Sequence, residues 1–311
     1  MKNLHSNSKE SVFYYKFKTF TTTYYFPNVG QNLNFLYGLY SSYGGVLSKV
    51  YWWLFRNSSI VRYLCKVNIY QENFPYKTIK KHTGSQSIIS FNMGSPGIEQ
   101  KISMLGFDFN CHQPFFAKFS QKDQAKKLTE NEIRVYQTLK GSGLTPQLLN
   151  AVTTEDFLLF KAEYIKGKRP KSLELTQEIV NTCLQLKDYH LTNDETNEEG
   201  LKMSLSHGDF CPWNILQNQQ TTRVIDWELA ADRPLGYDLF TYICQVSLLF
   251  APEVPLSASI KKNETLITDY FHTCGITNYS PYLHFFAIAK SEYEESKGNT
   301  TNAEKYRELA N

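Results

Sequence analysis

The stretch from Leu205 to Tyr242, LSHGDFCPWNILQNQQTTRVIDWELAADRPLGYDLFTY, constrains the fold more than any other part of the chain. It sets polar groups at fixed offsets between apolar runs short enough to read as strands. Ile215-Leu216 and Arg223-Val224-Ile225 read as a hairpin turning through Asn218 to Thr221. That pairing places Asn214, where the first strand starts, beside Asp226, where the second ends. Mg²⁺ takes few protein oxygens and completes its shell with substrate phosphates, so one amide and one carboxylate would suffice to hold it there. Asp209, five residues before Asn214, is near enough for its carboxylate to reach an attacking hydroxyl. Phosphoryl transfer asks a protein for positioning and charge neutralisation more than for covalent chemistry.

Upstream, from about Gln86, short apolar segments alternate with turn residues. Ile88 to Met93, Ile98 to Leu105 and Phe115 to Phe119 read as strands, the first two forming a hairpin across Gly94-Ser95-Pro96-Gly97. A helix is predicted over Leu128 to Leu139, with Thr129 as its cap and Gly141-Ser142-Gly143 as its stop. Strands over Leu148 to Val152 and Phe157 to Tyr164 follow, and then mainly helices, notably Glu174 to His190 and Tyr237 to Phe250. Within the helix predicted over Leu128 to Leu139, Glu132 shares a face with Val135, Tyr136 and Leu139, which favours it over Glu130 as the acidic residue turned to a partner.

The net charge of +3 conceals a division. Residues 1 to 84 carry 11 Lys or Arg against Glu10 and Glu72, a charge of +9, which leaves −6 for the remainder. The same segment is loaded with Tyr, Phe and Trp, so a boundary is expected near residue 85. After the Gly44-Gly45 break, Val46, Leu47, Val50, Tyr51 and Leu54 recur at helical spacing, flanked by Lys49, Arg56 and Arg62. Two readings stand: a helix packed on the folded domain, which is the commoner use of an aromatic stripe, and an interfacial helix with Trp52 and Trp53 at the headgroups of an anionic membrane. No scaffold interleaves aromatics with cations as single-strand nucleic acid requires, and no nucleic-acid partner is expected. The longest apolar run, Val50 to Phe55, is far short of the roughly 18 residues that span a bilayer. No secretory signal opens the sequence, and the six cysteines form no C-x-x-C pair. Reduced thiols and a cytoplasmic protein, at most peripheral at the inner face of the membrane, are the expectation.

HGDFCPWN followed by VIDWE resembles the catalytic loop and metal strand of the aminoglycoside phosphotransferase and choline kinase family, the small-molecule branch of the protein-kinase-like fold. The resemblance covers roughly Gln86 to the C-terminus. It implies an α+β, two-lobe fold: a basic, aromatic-rich extension over 1–85, a small antiparallel-sheet N-lobe over 86–163, and a larger helical C-lobe over 164–311 with the catalytic loop and acceptor pocket. By that resemblance Asp209 is the catalytic base, Asn214 and Asp226 hold Mg²⁺, and His207 braces the loop. Asp238 caps the following helix and braces the same loop. Lys118 holds the α and β phosphates of ATP and pairs with Glu132. Gly94, Ser95 and Gly97 cover the phosphates, and the backbone near Glu163, Tyr164 and Ile165 takes the adenine edge. Gly208 stands where most protein kinases have Arg, Trp227-Glu228 replaces Phe-Gly, and no A-P-E segment follows, so a small molecule rather than a protein is the implied acceptor. An ATP- and Mg²⁺-dependent transfer to a hydroxyl of a sugar, aminosugar or amino alcohol is expected; the alternatives are a catalytically inactive nucleotide- or partner-binding protein, or a membrane-surface kinase acting on a glycolipid precursor. Glu292-Tyr293-Glu294-Glu295 reads either as a lure for a cationic acceptor or, more commonly for such runs, as a solvated helix face.

Overall fold

The structure is a computed structural model that describes residues 12–40, 46–218 and 221–311; the Gly44-Gly45 break lies outside them. The chain divides into two compact units: the residues up to Thr129 with Leu148–Tyr164, and Glu130–Gln147 with Ile165–Asn311.

The first unit is built on an antiparallel sheet of eight strands. They are β1 (Phe13–Lys18), β2 (Thr23–Pro27), β3 (Lys66–Asn68), β4 (Ser87–Asn92), β5 (Lys101–Asp108), β6 (Gln113–Ser120), β7 (Leu148–Thr153) and β8 (Leu158–Glu163), in the spatial order β3-β1-β2-β4-β5-β6-β8-β7. The strands from β4 onward are those that the apolar alternation predicts. The expected start of β5 at Ile98 moves to Lys101, because residues 98 to 100 complete the turn: the amide of Gln100 donates to the carbonyl of Gly97. Gly94 has a φ of 67°, and a Cβ there would lie 2.4 Å from the carbonyl oxygen of Lys101, so this corner needs glycine.

The basic N-terminal segment supplies strands as well as helices. β2 pairs with β4 through Tyr24 opposite Asn92 and Tyr25 opposite Phe91, which continues the sheet into β1 and β3. The helices α1 (Val46–Asn57), α2 (Ser59–Leu64) and α3 (Tyr76–Thr83) complete the segment. Tyr14, Tyr25, Ile69, Tyr76 and Ile79 share one core with Ile89, Phe91, Met104 and Phe115 of the central strands. A second core joins Phe17, Phe26, Tyr37 and Phe55, with Trp52 against them. Full burial of each such ring contributes about 2–3 kcal/mol.

Helix α4 (Asp123–Thr138) begins among residues of the first unit and ends among those of the second. It starts earlier than Leu128, and Thr129 is not its cap: the buried hydroxyl bonds the carbonyl of Ala125 one turn back and Ser120 of β6. The second unit contains α5 (Gln177–Leu186), shorter than expected and capped by Thr176, and β9 (Met203–Ser206), β10 (Ile215–Gln217), β11 (Thr222–Val224) and β12 (Ala231–Pro234). α6 (Tyr237–Phe250), α7 (Leu256–Lys262), α8 (Glu264–Thr273), α9 (Ser280–Ser296) and α10 (Thr300–Ala310) follow. β9 pairs with β12, and β10 with β11. Phe240 of α6 packs against Phe271 of α8 and Phe286 of α9, which fixes the helices behind the β9 loop. The six cysteines are free thiols. Among the described residues no helix is long and apolar enough to cross a membrane.

Candidate active site

The loop that leaves β9 is held from below by Asp238, in the first turn of α6. Its carboxylate accepts from the Ser206 hydroxyl at 2.8 Å and from the backbone amides of His207 at 2.6 Å and Gly208 at 3.1 Å. Of the two jobs expected of Asp238, bracing accounts for these bonds; the α6 cap position itself is Gly236. His207 is fully buried. Its Nδ1 accepts from the Asp209 amide at 3.2 Å, so Nε2 carries the proton and donates to the carbonyl of Ile225 at 2.9 Å. With both ring nitrogens engaged and Trp227 packed at 4.7 Å between ring centroids, the imidazole is a bracket between the loop and the end of β11.

Gly208 has a φ of 82°, and a Cβ on it would lie 2.5 Å from the carbonyl oxygen of Leu229 and 2.8 Å from Nη1 of Arg233. That crowding is the physical reason for the sequence His-Gly-Asp here: no side chain fits between the loop and the segment from Leu229 to Arg233.

Asp209 is partly exposed. One carboxylate oxygen accepts from Nδ2 of Asn214 at 3.0 Å, the other from the Cys211 thiol at 3.4 Å. Burial, helped by the Asp209 charge, pushes the Cys211 thiol far up, so it stays a neutral donor. Asn214 also donates to the Asp209 carbonyl at 2.9 Å and ends a short 3₁₀ turn, Pro212–Asn214, just before β10. The hairpin register pairs Ile215 with Val224, and the amide of Ile225 donates to the Asn214 carbonyl at 2.9 Å. Asn214 and Asp226 therefore flank the open end of one hairpin, as the sequence spacing predicts. Asp226 lies beyond the strand rather than in it, since β11 stops at Val224; it is left-handed, with φ 69° and ψ 53°, and opens the 3₁₀ turn Trp227–Leu229. A non-glycine residue in that conformation is strained by about 1 kcal/mol or more, and such strain gathers at functional sites.

Carboxylate oxygens of Glu132, Asp226 and Glu228 lie within 4.8 Å of one another. Glu132 is the buried member and Glu130 is exposed, so the helix phase picked the inward glutamate. Glu132 accepts from the Tyr136 hydroxyl at 2.8 Å, and burial with the Glu132 charge raises the pKa of that phenol. Asn131 ties α4 to the same corner through the carbonyls of Glu228 and Ala230. Hard oxygen donors of this kind, the amide of Asn214 and the carboxylates of Asp226 and Glu228, suit a small divalent cation such as Mg²⁺ and would not favour a soft one.

Two cations at this loop have no counterpart in the sequence reading. Lys290 of α9 is buried, with Nζ 3.4 Å from the Gly208 carbonyl and 5.4 Å from the centroid of the Tyr237 ring. Burial, then the Arg233 charge, pull its pKa down, against the opposing pull of Asp209. Arg233 donates to Leu229 and lies 4.8 Å over the same ring, while its Nη1 is buried without a hydrogen-bond partner. Neither could be found from local pattern: Lys290 stands 82 residues from Gly208, in a run that reads as an ordinary helix. The acidic run beside it is engaged within the helices, with Glu294 accepting from Asn299 and Glu295 paired with Arg307.

The remaining sequence-predicted residues belong to the first unit, apart from Ile165, which opens the second segment of the other. Lys118 is buried on β6, between Ser103 of β5 and Phe160 of β8. Gly94 is held by Asn92 and by the Thr22 hydroxyl, and Lys122 donates to the carbonyl of Gly97, so the loop containing Ser95 is pinned at both ends. Glu163 ends β8, and Tyr164 meets Phe35 at 5.1 Å between ring centroids.

No curated protein sequence matches the chain. Residues 185–258 match the family model described as the phosphotransferase enzyme family, APH. Among solved structures, the chain is similar to the amicoumacin kinase hAmiN, described as a complex with AMP-PNP, Ca²⁺ and Ami, at 10% identity, TM-score 0.50, and coverage of 76% of this chain and 94% of that one. It is similar also to an ethanolamine kinase of Plasmodium vivax, at 11% identity, TM-score 0.50, and coverage of 87% and 95%. The fold is thus kinase-like, and the residues that match the phosphotransferase model contain both HGDFCPWN and VIDWE, the motifs that carry the resemblance.

Proposed function

We propose that the protein transfers the γ-phosphate of ATP to a hydroxyl group of a small molecule, a sugar, aminosugar or amino alcohol, with Mg²⁺. The observation that carries this reading is the Asp209–Asn214–Asp226 corner, in which a partly exposed carboxylate is fixed by the amide that precedes a hairpin ending in a second carboxylate. Mg²⁺, when bound, would neutralise phosphate charge and orient the triphosphate. Asn214 and Asp226 are the residues assigned to hold it. With Nδ2 of Asn214 given to Asp209, its Oδ1 is the atom left for a cation.

Asp209 acts as the base: its carboxylate takes the proton of the acceptor hydroxyl as that oxygen bonds to the γ-phosphorus and the bond to the ADP oxygen breaks. The bonds from Asn214 and Cys211 fix the carboxylate for that role. His207 and Asp238 act through the loop, by positioning Asp209. Following the resemblance, Lys118 is assigned to the α and β phosphates, the turn containing Gly94, Ser95 and Gly97 to covering them, and the backbone of Glu163, Tyr164 and Ile165 to the adenine edge.

The test is phosphate incorporation from labelled ATP into a panel of hydroxylated sugars, aminosugars and amino alcohols, with and without Mg²⁺. Asp209→Ala should lower turnover by a factor of about 10²–10⁴, the range general-base catalysis supplies, with the circular dichroism unchanged. Asp226→Ala should lose metal-dependent nucleotide affinity as well. Equal turnover in wild type and Asp209→Ala would end the enzyme reading.

A further inference from the structure

Helix α1 is apolar on two opposite faces. One face, with Phe55 and Trp52, packs into the second aromatic core, where Trp52 stacks on Phe55 at 5.5 Å and meets Phe17 at 5.0 Å between ring centroids. The other face carries Val46, Leu47, Val50, Trp53 and Leu54, at i, i+1, i+4, i+7 and i+8, the spacing of one helical stripe. All five are exposed, Leu47 by 85% and Trp53 by 62%. The next helix extends the patch: Ile60, Tyr63 and Leu64 of α2 are each exposed by more than 70%, while Val61 packs inward. A stripe of this length turned to solvent is unusual for an isolated domain and marks a surface that meets something apolar.

The charge around the stripe says what that something is. No Asp or Glu stands between Glu10 and Glu72, whereas Lys18, Lys49, Arg56, Arg62 and Lys66 do, besides Lys16, which is paired with Glu72. Lys49 and Lys66 are exposed, and Lys66 lies 4.3 Å over the Phe13 ring, itself partly exposed. Two copies of this face would bring like charges together, which disfavours self-association. An anionic bilayer surface offers both complements at once: hydrocarbon for Leu47, Val50 and Leu54, the headgroup layer for Trp53 and Tyr63, and negative charge for the lysines. We propose that the exposed face of α1 and α2 docks the protein on an anionic membrane surface, lying on it without spanning it. Of the two tryptophans the sequence put at the headgroups, only Trp53 is available; Trp52 belongs to the core.

The full-length protein should co-sediment with phosphatidylcholine vesicles containing phosphatidylglycerol, and far less with phosphatidylcholine alone, with binding that weakens as salt rises. Replacing three exposed apolar groups, Leu47→Ser, Trp53→Ser and Leu64→Ser together, should weaken partitioning by about tenfold or more, and Lys49→Glu with Lys66→Glu should remove the preference for anionic vesicles. Should the triple variant fold poorly by circular dichroism, tryptophan emission decides: the vesicle-induced blue shift of the wild type should vanish in Trp53→Phe. Absence of binding to anionic vesicles, a triple variant that folds and binds as well as wild type, or a shift that survives Trp53→Phe would each overturn the proposal. So would light scattering that shows a dimer dissolved by the triple variant, since the face would then belong to a second copy.

Discussion

Gly208 and Lys290 show how narrowly the loop around Asp209 is defined. At position 208 the chain must be left-handed, and the space where a side chain would stand is taken by the Leu229 carbonyl and Arg233. Gly208→Ala should therefore cost about 1–3 kcal/mol from the backbone conformation alone, more where the loop cannot yield, and should lower turnover because Asp209 follows directly. Urea midpoint and turnover measured on the same preparation check this, and an unchanged midpoint would mean that the loop is softer than its contacts indicate. Lys290 poses the opposite balance. A buried ammonium with one long hydrogen bond and two aromatic neighbours is desolvated at a cost that its contacts only partly offset. Its folded-state pKa lies below the unfolded one, so its drag on stability is greatest when the solution is acidic enough to protonate it in both states, and fades as pH rises toward its unfolded-state pKa. Lys290→Met should raise the urea midpoint near neutral pH while lowering turnover, since the tether on Gly208 goes with the charge. A gain in stability with full activity would show that Lys290 does not position the loop.

At the scale of elements, an ion pair that reaches across β6 should set the acid limit of the first unit. Asp108, at the end of β5, meets Lys161 of β8 at 2.8 Å, and both side chains are largely buried. Burial alone would raise the pKa of the Asp108 carboxyl, but the hydrogen bond and charge of Lys161 and the Asn110 amide outweigh it and hold it below the ordinary value. A carboxyl depressed in the folded state contributes stability that is fully present above its unfolded pKa and is lost as pH falls through the folded one. Asp108→Asn should then cost about 3 kcal/mol at neutral pH, mainly by leaving Lys161 buried without its partner, and the two unfolding curves should converge as the solution is made acid. Elements also mark what the sequence could tell. α6, the β10/β11 hairpin and the order β6, α4, β7, β8 were legible because each is a local period closed by a local turn. β1 and β2 were not: the residues that join them, Thr19 to Thr22, contain no Gly, Pro, Asn or Asp, and their turn is made by the Thr19 hydroxyl and backbone instead. An aromatic-rich segment without such punctuation looks helical or unstructured until the sheet edge that receives it is known. For the candidate site, spacing sufficed for Asp209, Asn214 and Asp226, which one loop and one hairpin carry, and failed for Arg233 and Lys290, which only tertiary packing brings to Gly208.

For the whole molecule, the charge division at residue 85 is a division of surface and not of folding. The basic segment gives three strands to the eight-stranded sheet and five side chains to the same core as Phe91, Met104 and Phe115. Removing residues 1 to 84 would strip β2 from β4, expose the backbone edge of β4, and open the core where Tyr14, Tyr25, Ile69, Tyr76 and Ile79 now lie. An uncovered edge beside exposed aromatic side chains is a template for pairing with other chains. The truncated protein should therefore aggregate or unfold, and lose nucleotide binding with its fold, whereas substitutions confined to the exposed stripe of α1 and α2 should leave the unfolding midpoint within about 0.5 kcal/mol of wild type per site. Size-exclusion chromatography and thermal unfolding of both kinds of variant distinguish the two roles of one segment. A truncated protein that stays monomeric and unfolds like the full chain would mean that the added strands contribute little, and that the central strands close their own core without them.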